Sequence, residues 1–391
     1  MIDEGAKTKL ILAENFIIDD WEAIDLLLGF VAAFKVPHTE MLWLKLIGAS
    51  GTGKTELLRA IRELNFADEL EHLSPASLRG GYKPAGRRQP LTMARLNGKL
   101  VVTKEFAVLL TARKDDRTTV FGLLRSVHDG DLSSDFGSLE GHLHQKTKFD
   151  WVIGTTPYVD QQRQLEASLG SRFIDLRWHT PKDSERLAGK AVENDPRLET
   201  IRKELAEQLQ RMADSVIIPP KKPEMPYLSK LADFTSRYRT PLRRDSITRE
   251  IMEVPTDEIE SPARVSQALA RIGTGLFSIG IINIQPYLLR LALDTIPKTR
   301  ASVVRAVLEG IKGREEIAKF CGISARALDY IREEMGILGF DDKDDLSFLK
   351  PQKEGTQLEL ELAELEALMK TNPEEAKKRI KEIIDSEIED I

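Results

Sequence analysis

The chain has 391 residues, of which 41% are hydrophobic and 31% are charged, a length and balance that predict a soluble protein of two or three domains. The formal net charge of −6 belongs to residues 351–391, with 12 acidic and 6 basic residues, whereas residues 1–350 hold 51 of each, so the acidity does not exclude a nucleic-acid partner. Interrupted apolar runs, an acidic start and the single Cys321 favour a cytoplasmic protein with no membrane partner, disulfide framework or multi-cysteine metal site.

A helix, a strand and a glycine-rich loop follow one another near the start of the chain. Asp19 and Asp20 are placed to cap a helix, and residues 21–34 have apolar side chains at helical spacing. Residues 41–47, MLWLKLI, form a short apolar run that leads directly into GASGTGKT at 48–55, and the following ELLRAIREL is again helical. This order predicts strand, loop and helix.

Further short apolar runs at 100–106 and 149–156 are separated by stretches that can hold a helix. The alternation predicts an α/β fold, a parallel sheet flanked by helices. A charged helical stretch and the proline-rich segment 217–226 place the end of this unit near residue 180. The predicted organisation is an N-terminal helical segment (1–40), an α/β core (41–180), a helical region (181–298), a small helical domain (299–350) and a polar helical tail (351–391).

The loop 48–55 fits the phosphate-binding pattern GxxxxGK[ST]. Gly48 and Gly53 allow a tight turn in which backbone N–H groups face phosphate oxygens at the start of a helix. Lys54 would neutralise the outer phosphates and Thr55 would bind Mg²⁺. The sequence therefore predicts an ATP site with Mg²⁺, whose contact residues are Gly48, Ser50, Gly51, Thr52, Gly53, Lys54, Thr55 and Glu56.

Hydrolysis also requires a carboxylate at the end of a neighbouring strand, where it holds the metal and orients the attacking water. Glu105 is the candidate because it follows the apolar run that starts at residue 100. Thr103 and Lys104 precede it, so an adjacent acidic pair is missing. If Glu105 is instead a solvated strand-end residue, hydrolysis is expected to be slow or absent.

Ordered motifs after the loop carry a family resemblance. The run GLLRSVHDGDLSSDFGSLEGHLHQKTKFDWVIGTTP at 122–157, followed by LGSRF at 169–173, resembles AAA+ ATPases with a β-hairpin before sensor 1, the clade of minichromosome-maintenance helicases and bacterial enhancer-binding proteins. SPASLRGGY, KLVVTKEF, LLRSVHDG, GTTPYVD and LGSRFIDLRW together are similar to AAA+ ATPases of phages and mobile elements associated with DNA replication. The resemblance covers residues 40–180 well and 255–340 more loosely. It implies an AAA+ P-loop sheet with a helical lid.

The resemblance also implies roles for single residues. Thr156, with Thr155 as the alternative, would be sensor 1, which contacts the γ-phosphate or the attacking water. Arg172 matches the arginine finger, which would reach the nucleotide of a neighbouring subunit. Arg264 would be sensor 2, with Arg271 as the alternative. An arginine that acts between subunits implies a homo-oligomer, a hexameric ring or an open spiral.

Two basic segments are candidates for DNA contact. DLSSDF and HLHQKTKF around Gly137–Gly141 predict a hairpin, which in the resembled clade points into the ring pore. Lys146 and Lys148 alternate with polar residues, so both lysines are expected on one strand face, where they would bind a phosphate backbone. The alternatives are a solvated face or a contact between subunits. A second basic loop holds Arg79, Lys83, Arg87 and Arg88.

The C-terminal part has a helix-turn-helix pattern in REEIAKFC, a turn at 322–324, and ARALDYIREEMG. Ser324 is placed to cap the second helix, and Arg326 and Arg332 are candidates for DNA contact. The pattern predicts a winged helix, although the expected wing at 341–345, DDKDD, is acidic. Protein contact or subunit packing is the alternative role. The acidic tail 351–391 has apolar residues at helical spacing and is a candidate for binding a protein partner.

These features together favour an ATP-dependent AAA+ DNA helicase or translocase for replication of a phage or mobile element, which couples hydrolysis of Mg-ATP in a ring to movement of DNA. The first alternative is a helicase-loader-type adaptor, in which ATP controls assembly and the tail recruits a partner. The second is an ATP-dependent regulator that recognises DNA through the winged helix.

Overall fold

The computed structural model describes residues 4–71, 92–110, 113–130, 132–135, 142–162, 172–217, 226–245, 248, 250–253, 260–340 and 346–349. Its strands are β1 (Trp43–Ile47), β2 (Ala67–Glu69), β3 (Leu100–Thr103), β4 (Leu132–Asp135), β5 (His142–Gln145), β6 (Asp150–Thr155), β7 (Phe173–Arg177), β8 (Arg243–Arg244) and β9 (Ile251–Glu253). Its helices are α1 (Glu4–Asn15), α2 (Trp21–Ala33), α3 (Lys54–Arg62), α4 (Thr92–Leu96), α5 (Ala107–Leu110), α6 (Lys114–His128), α7 (Ser184–Asn194), α8 (Leu198–Asp214), α9 (Pro226–Arg239), α10 (Ala263–Ser278), α11 (Gln285–Thr295), α12 (Lys298–Leu308), α13 (Arg314–Cys321) and α14 (Ala325–Ile337).

Five parallel strands form the central sheet in the order β2-β3-β6-β1-β7. The α/β fold is thereby confirmed, and the predicted strands at 41–47, 100–106 and 149–156 are β1, β3 and β6. Because all strands run in one direction, their carboxyl ends share one edge of the sheet and their amino ends share the other. We call these the carboxyl edge and the amino edge.

Apolar side chains cover both faces of the sheet, as expected for parallel strands. One face, with Leu44 and Leu46, joins a large core that includes residues of α2, α3, α8, α10 and α11. The opposite face, with Trp43 and Ile47, packs against α4, α5 and α6. The alternation along β1 is broken by Lys45, which is 3% exposed and lies 3.3 Å from Asp175 of β7. Such a buried cation requires a paired acid.

The helices α2 and α10 cross at close range on the first of these faces. A Cβ atom on Gly275 would lie 2.0 Å from the carbonyl oxygen of Gly29, so only glycine fits at this crossing. The two helices contribute Leu28, Phe30 and Leu276 to the core. The helix α10, expected from its sequence position to belong to a lid, is therefore packed on the N-terminal helix that precedes the sheet.

The edge strand β7 is covered by side chains of α11. Thr295 accepts a hydrogen bond from the N–H of Asp175 at 3.1 Å, and Asp294 accepts one from the N–H of Arg177 at 3.0 Å. Both acceptors are buried. The covered edge cannot pair with a further strand along these groups.

The helices α12, α13 and α14 follow, and the pair α13 and α14 confirms the predicted helix-turn-helix order. Gly322 has φ +65° in the turn, and Ser324 accepts a hydrogen bond from the N–H of Ala327 as the cap of α14. The guanidinium of Arg300 binds Glu334 and the carbonyl oxygens of Tyr238 and Thr240, which fixes α12 and α14 to the end of α9. The predicted wing and the tail 351–391 lie outside the described residues. Each described helix is too short or too polar to span a lipid bilayer.

Candidate nucleotide site

The loop 48–55 joins β1 to α3 at the carboxyl edge. The N–H of Gly48 donates to the carbonyl of Thr155 at 3.1 Å, which fixes the loop to the end of β6. Gly53 precedes α3 with φ +85° and provides no side-chain cap, so no side chain at this position competes with a ligand for the first N–H groups of the helix. A Cβ atom on Gly48 would lie 2.9 Å from the carbonyl oxygen of Trp178. The predicted tight loop before a helix is confirmed.

Lys54 points back into this loop. Its ammonium donates to the carbonyl of Gly48 at 2.7 Å and to that of Ala49, and lies 3.4 Å from the hydroxyl of Thr52. The residue is 7% exposed, and burial lowers the pKa of the amine to about 8. A buried ammonium that has only neutral oxygens as partners is ready to bind an anion, because a phosphate would supply the missing countercharge.

The remaining predicted contact residues surround this cation. Thr52 is buried and donates to the carbonyl of Ala49 at 3.0 Å, whereas Ser50, Gly51 and Thr55 are exposed at the mouth of the loop. Glu56 is not free to bind a ligand through its carboxylate, because Arg202 of α8 and Arg59 donate to it at 2.5 and 2.7 Å. That ion pair joins α3 to α8.

Two neighbouring strands supply the other predicted groups at the carboxyl edge. Thr155 ends β6 and is buried, whereas Thr156 is half-buried and its carbonyl accepts from Val159 at 3.1 Å. Glu105 is exposed two residues beyond β3. The neighbouring Lys104 is bound by Glu69 at 2.8 Å and Glu71 at 2.5 Å, so it does not neutralise Glu105.

Mg²⁺ and ATP fit the chemistry of these residues. Within the described ranges, no three His, Cys, Asp or Glu side chains are grouped closely enough to hold a metal. Mg²⁺ bound with a nucleotide takes only one or two protein oxygens, with phosphate and water completing its shell. Thr55 and Glu105 are exposed oxygen donors on the carboxyl edge and could serve this purpose.

An ionic network beside the loop was missed in the sequence. Arg177, the last residue of β7, donates to both carboxylate oxygens of Asp160 at 2.8 and 2.7 Å. Arg290 of α11 donates to Asp20 at 2.7 Å and to the carbonyl of Arg177 at 2.9 Å. Burial opposes ionisation of Asp20, but hydrogen bonds from Arg290 and His179 hold its pKa well below its usual value. The capping role predicted for Asp20 is confirmed; its partner lies 270 positions away, which no local pattern indicates.

Arg172 lies at the amino edge, directly before β7. The length of that strand separates it from the carboxyl edge by roughly 16 Å. Its guanidinium binds the carboxylate of Asp129, at the end of α6, with N–O distances of 3.1 and 3.2 Å. An arginine in this place does not reach the phosphate loop of its own chain.

The structure also places the two sensor 2 candidates at the amino edge. Arg264 is 39% exposed and lies 3.5 Å from Glu260, whose carboxylate also binds Arg239, a donor to the carbonyl of Phe173 at the start of β7. Arg264 thus does not face its own phosphate loop. The alternative, Arg271, is wrong as a nucleotide contact: it is 5% exposed and binds Asp150 at 2.5 and 3.0 Å. Both arginines lie away from the loop of their own chain because α10 packs on α2.

The predicted hairpin is confirmed as the antiparallel pair β4 and β5, but its two lysines lie beyond it. The strand β5 ends at Gln145, so Lys146 and Lys148 are not strand residues. Lys146 is exposed. The ammonium of Lys148 donates to the carbonyl of Thr39 at 2.8 Å, at the amino edge. The turn of the hairpin and the basic loop with Arg79, Lys83, Arg87 and Arg88 lie outside the described residues.

The second helix of the helix-turn-helix pair has a mixed surface. Arg326 is exposed and lies against the hydroxyl of Tyr330 at 3.2 Å, and Arg332 is half-buried. Arg244 of β8 donates to Glu333 and to the carbonyl of Tyr330, at 2.9 and 2.8 Å. Arg244 of β8 therefore contacts one side of α14.

Comparison with models of known protein families gives no match, and comparison with curated proteins gives none either. The assignment of function to this chain therefore depends on its own residues and their arrangement.

Proposed function

We propose that the chain is an ATP-dependent DNA helicase or translocase of AAA+ type that assembles as a ring or spiral. The observation that carries the proposal is the placement of Lys54 and Arg172 at opposite edges of one parallel sheet. Lys54 lies where a nucleotide triphosphate would bind, and Arg172 lies at the far edge of the sheet, so a role of Arg172 in hydrolysis would require a second subunit.

The chemistry assigned to the carboxyl edge is phosphoryl transfer to water. Lys54 would bind the outer phosphates, Thr55 and Glu105 would hold Mg²⁺, and Glu105 would also orient the attacking water. When bound, Mg²⁺ would neutralise charge that develops on the transferred group. Thr156, or Thr155, would contact the γ-phosphate or that water from the end of β6.

The requirement for a second subunit follows from Arg172. A guanidinium stabilises charge on the transferred phosphoryl group only at contact distance. Arg172 of one subunit would complete the site of the next, and repetition of this head-to-tail contact gives a closed ring or an open spiral. Hydrolysis would then depend on assembly.

The DNA-binding part of the proposal is supported by the hairpin that follows α6. Lys146 is exposed beyond β5, and a lysine in a ring pore would bind the phosphate backbone without sequence preference. Arg326 and Arg332 are further candidates through a winged helix. The motifs that resemble AAA+ ATPases of phages and mobile elements favour a role in replication.

A helicase-loader-type adaptor is the second candidate. It is favoured by Glu105, which is the only acid directly following β3, whereas a fast ATPase is expected to have an acidic pair there. In this role ATP binding would control assembly, and the acidic tail would bind the partner protein.

Steady-state ATP hydrolysis with and without single- and double-stranded DNA separates these functions. The motor function predicts stimulation by one form of DNA, with loss of turnover in Lys54→Ala and Arg172→Ala. Turnover that is slow and indifferent to DNA would contradict the motor and support the adaptor. Lys319→Ala, an exposed lysine on α13, is the matched control.

A further inference from the structure

The guanidinium of Arg172 is paired with an acid of its own subunit, Asp129. Its side chain is 9% exposed, and its partner Asp129 is 55% exposed. The Nε atom of Arg172 is buried and has no hydrogen-bond partner among the described residues. An arginine finger must present its guanidinium at the subunit surface, so the contact with Asp129 must open before Arg172 can act.

Asp129 occupies the junction between α6 and the β4–β5 hairpin. It is the C-cap residue of α6, and its N–H donates to the carbonyl of Arg125 at 3.0 Å. Gly130 follows with φ +80°, and two residues later β4 begins. The side chain of Lys148, which leaves the hairpin after β5, is so close to Gly130 that a Cβ atom there would lie 2.9 Å from its Cε atom. Both ends of the hairpin therefore meet beside Asp129.

The helix on the other side of this junction is firmly anchored. His128 is 4% exposed and packs edge-on against Trp43 of β1, with ring centroids 4.7 Å apart. A displacement of the hairpin cannot be passed easily into α6, because His128 is fixed in the core. Such a displacement would instead change the positions of Asp129 and Gly130.

We propose that Asp129 is a positioning residue that holds Arg172 in its own subunit until the hairpin moves, and that this contact couples DNA engagement to ATP hydrolysis. The inference rests on the proposed function, in which the hairpin binds DNA and Arg172 acts on the neighbouring nucleotide. DNA in the pore displaces the β4–β5 hairpin. Asp129 moves with the start of the hairpin, and the ion pair with Arg172 opens. The guanidinium of Arg172 can then reach the next subunit.

The size of the effect is limited by the exposure of Asp129. A partly exposed ion pair contributes little to stability, so its removal is expected to raise the DNA-free rate of hydrolysis by roughly two- to fivefold. The rate at saturating DNA is expected to change little, because the contact is then already open. The ratio of the two rates should fall towards one.

The test is the ratio of ATP hydrolysis with DNA to that without it, in the wild-type chain, Asp129→Asn, Arg172→Ala and the double variant. Asp116→Asn is the matched control, because Asp116 is an exposed carboxylate in the first turn of the same helix. The proposal predicts a raised DNA-free rate in Asp129→Asn only, and a return to the Arg172→Ala rate in the double variant. A purely structural role of Asp129 would lower both rates together.

The outcomes distinguish this inference from the proposed function. An unchanged ratio in Asp129→Asn, with turnover that still depends on Arg172, would overturn the role of Asp129 alone. Full turnover in Arg172→Ala, or no hydrolysis by the wild-type chain, would overturn the proposed function and the role of Asp129 together. A thermal unfolding curve for each variant shows whether it is folded.

Discussion

Buried cations lie at both edges of the central sheet, and Lys54 differs from the two amino-edge arginines in having no acidic partner among the described residues. At the carboxyl edge, Lys54 is a buried cation whose partners are neutral oxygens. At the amino edge, Arg271 and Arg172 are each paired with an acid, Asp150 and Asp129. The positive charge of Lys54 can therefore be neutralised by an anionic ligand. The charges of Arg271 and Arg172 are already neutralised by acids of the same chain.

This difference shows that a basic residue near a phosphate loop in sequence need not be near it in space. Arg264 and Arg271 belong to the helix expected to form a lid, yet α10 packs on α2 and brings them to the amino edge. Arg290, from the next helix, binds Asp20 beside the loop instead. The acid that each arginine binds therefore shows where that arginine lies, whereas the position of the arginine in the sequence does not.

Loss of the carboxyl-edge cation should have the largest effect. Lys54→Ala removes the charge that a triphosphate requires, and we expect at least about a hundredfold weaker ATP binding, with hydrolysis lost. The measurement is titration with a fluorescent ATP analogue. Lys319→Ala should bind as the wild type does; equal binding by Lys54→Ala would contradict the proposed site.

At the amino edge the effect is expected on stability and not on ATP binding. Arg271→Ala leaves Asp150, which is 2% exposed, buried without its cation, and we expect a loss of about 3–5 kcal/mol in the free energy of unfolding. Arg264→Ala on the same helix is the control, with an expected loss of at most about 1 kcal/mol because its ion pair is exposed. Chemical unfolding measures both. Equal losses would contradict the difference between the buried ion pair of Arg271 and the exposed ion pair of Arg264.

His128 should make the amino edge sensitive to acid. Burial, with a smaller contribution from Arg264, lowers the pKa of His128 to about 4 from 6.5. Between pH 4 and pH 6.5 His128 binds a proton in the unfolded chain but not in the folded one. The free energy of unfolding is therefore highest above pH 6.5 and falls by on the order of 3 kcal/mol as the pH is lowered to about 4. The difference in unfolding free energy between the wild type and His128→Phe, measured from pH 7 to 4.5, reports it. Parallel curves would contradict the prediction.

The smallest effect is expected on the pH dependence of ATP binding. Because burial lowers the pKa of Lys54 to about 8, the free loop loses its cation as the pH rises, and a bound phosphate restores it. Affinity should fall about tenfold from pH 7 to pH 9, with proton uptake on binding. Calorimetry in two buffers of different ionisation enthalpy detects this uptake. Lys54→Arg stays charged and should bind ATP without proton uptake. Wild-type affinity that does not change between pH 7 and pH 9 would contradict the prediction.

The sequence was a good guide where local chemistry decides the structure. The apolar runs at β1, β3 and β6, the glycine turn at 48–53 and the cap at Ser324 follow from short-range patterns, and the structure confirms them. The edge strand β7 was not predicted as an element, and α1 was covered only by the general prediction of a helical segment over 1–40. The strand β7 is held by Asp294 and Thr295 of α11, more than a hundred positions away.

The site was predictable only in part for the same reason. The motif identified Lys54, but nothing local to Arg172 indicates Asp129, and nothing local to Arg177 indicates Asp160. The expectation that Lys146 and Lys148 share a strand face failed because β5 ends at Gln145. Strand ends depend on pairing with the partner strand, which a periodic pattern does not determine.

The separation of Lys54 and Arg172 is tested most directly by mixing two inactive variants. Lys54→Ala keeps Arg172, and Arg172→Ala keeps the phosphate loop, so a mixed assembly contains intact sites between unlike subunits. The account predicts that each variant alone is inactive and that the mixture regains ATP hydrolysis. If crosslinking shows that mixed assemblies form and the mixture remains inactive, Arg172 does not act between subunits and the central claim is wrong.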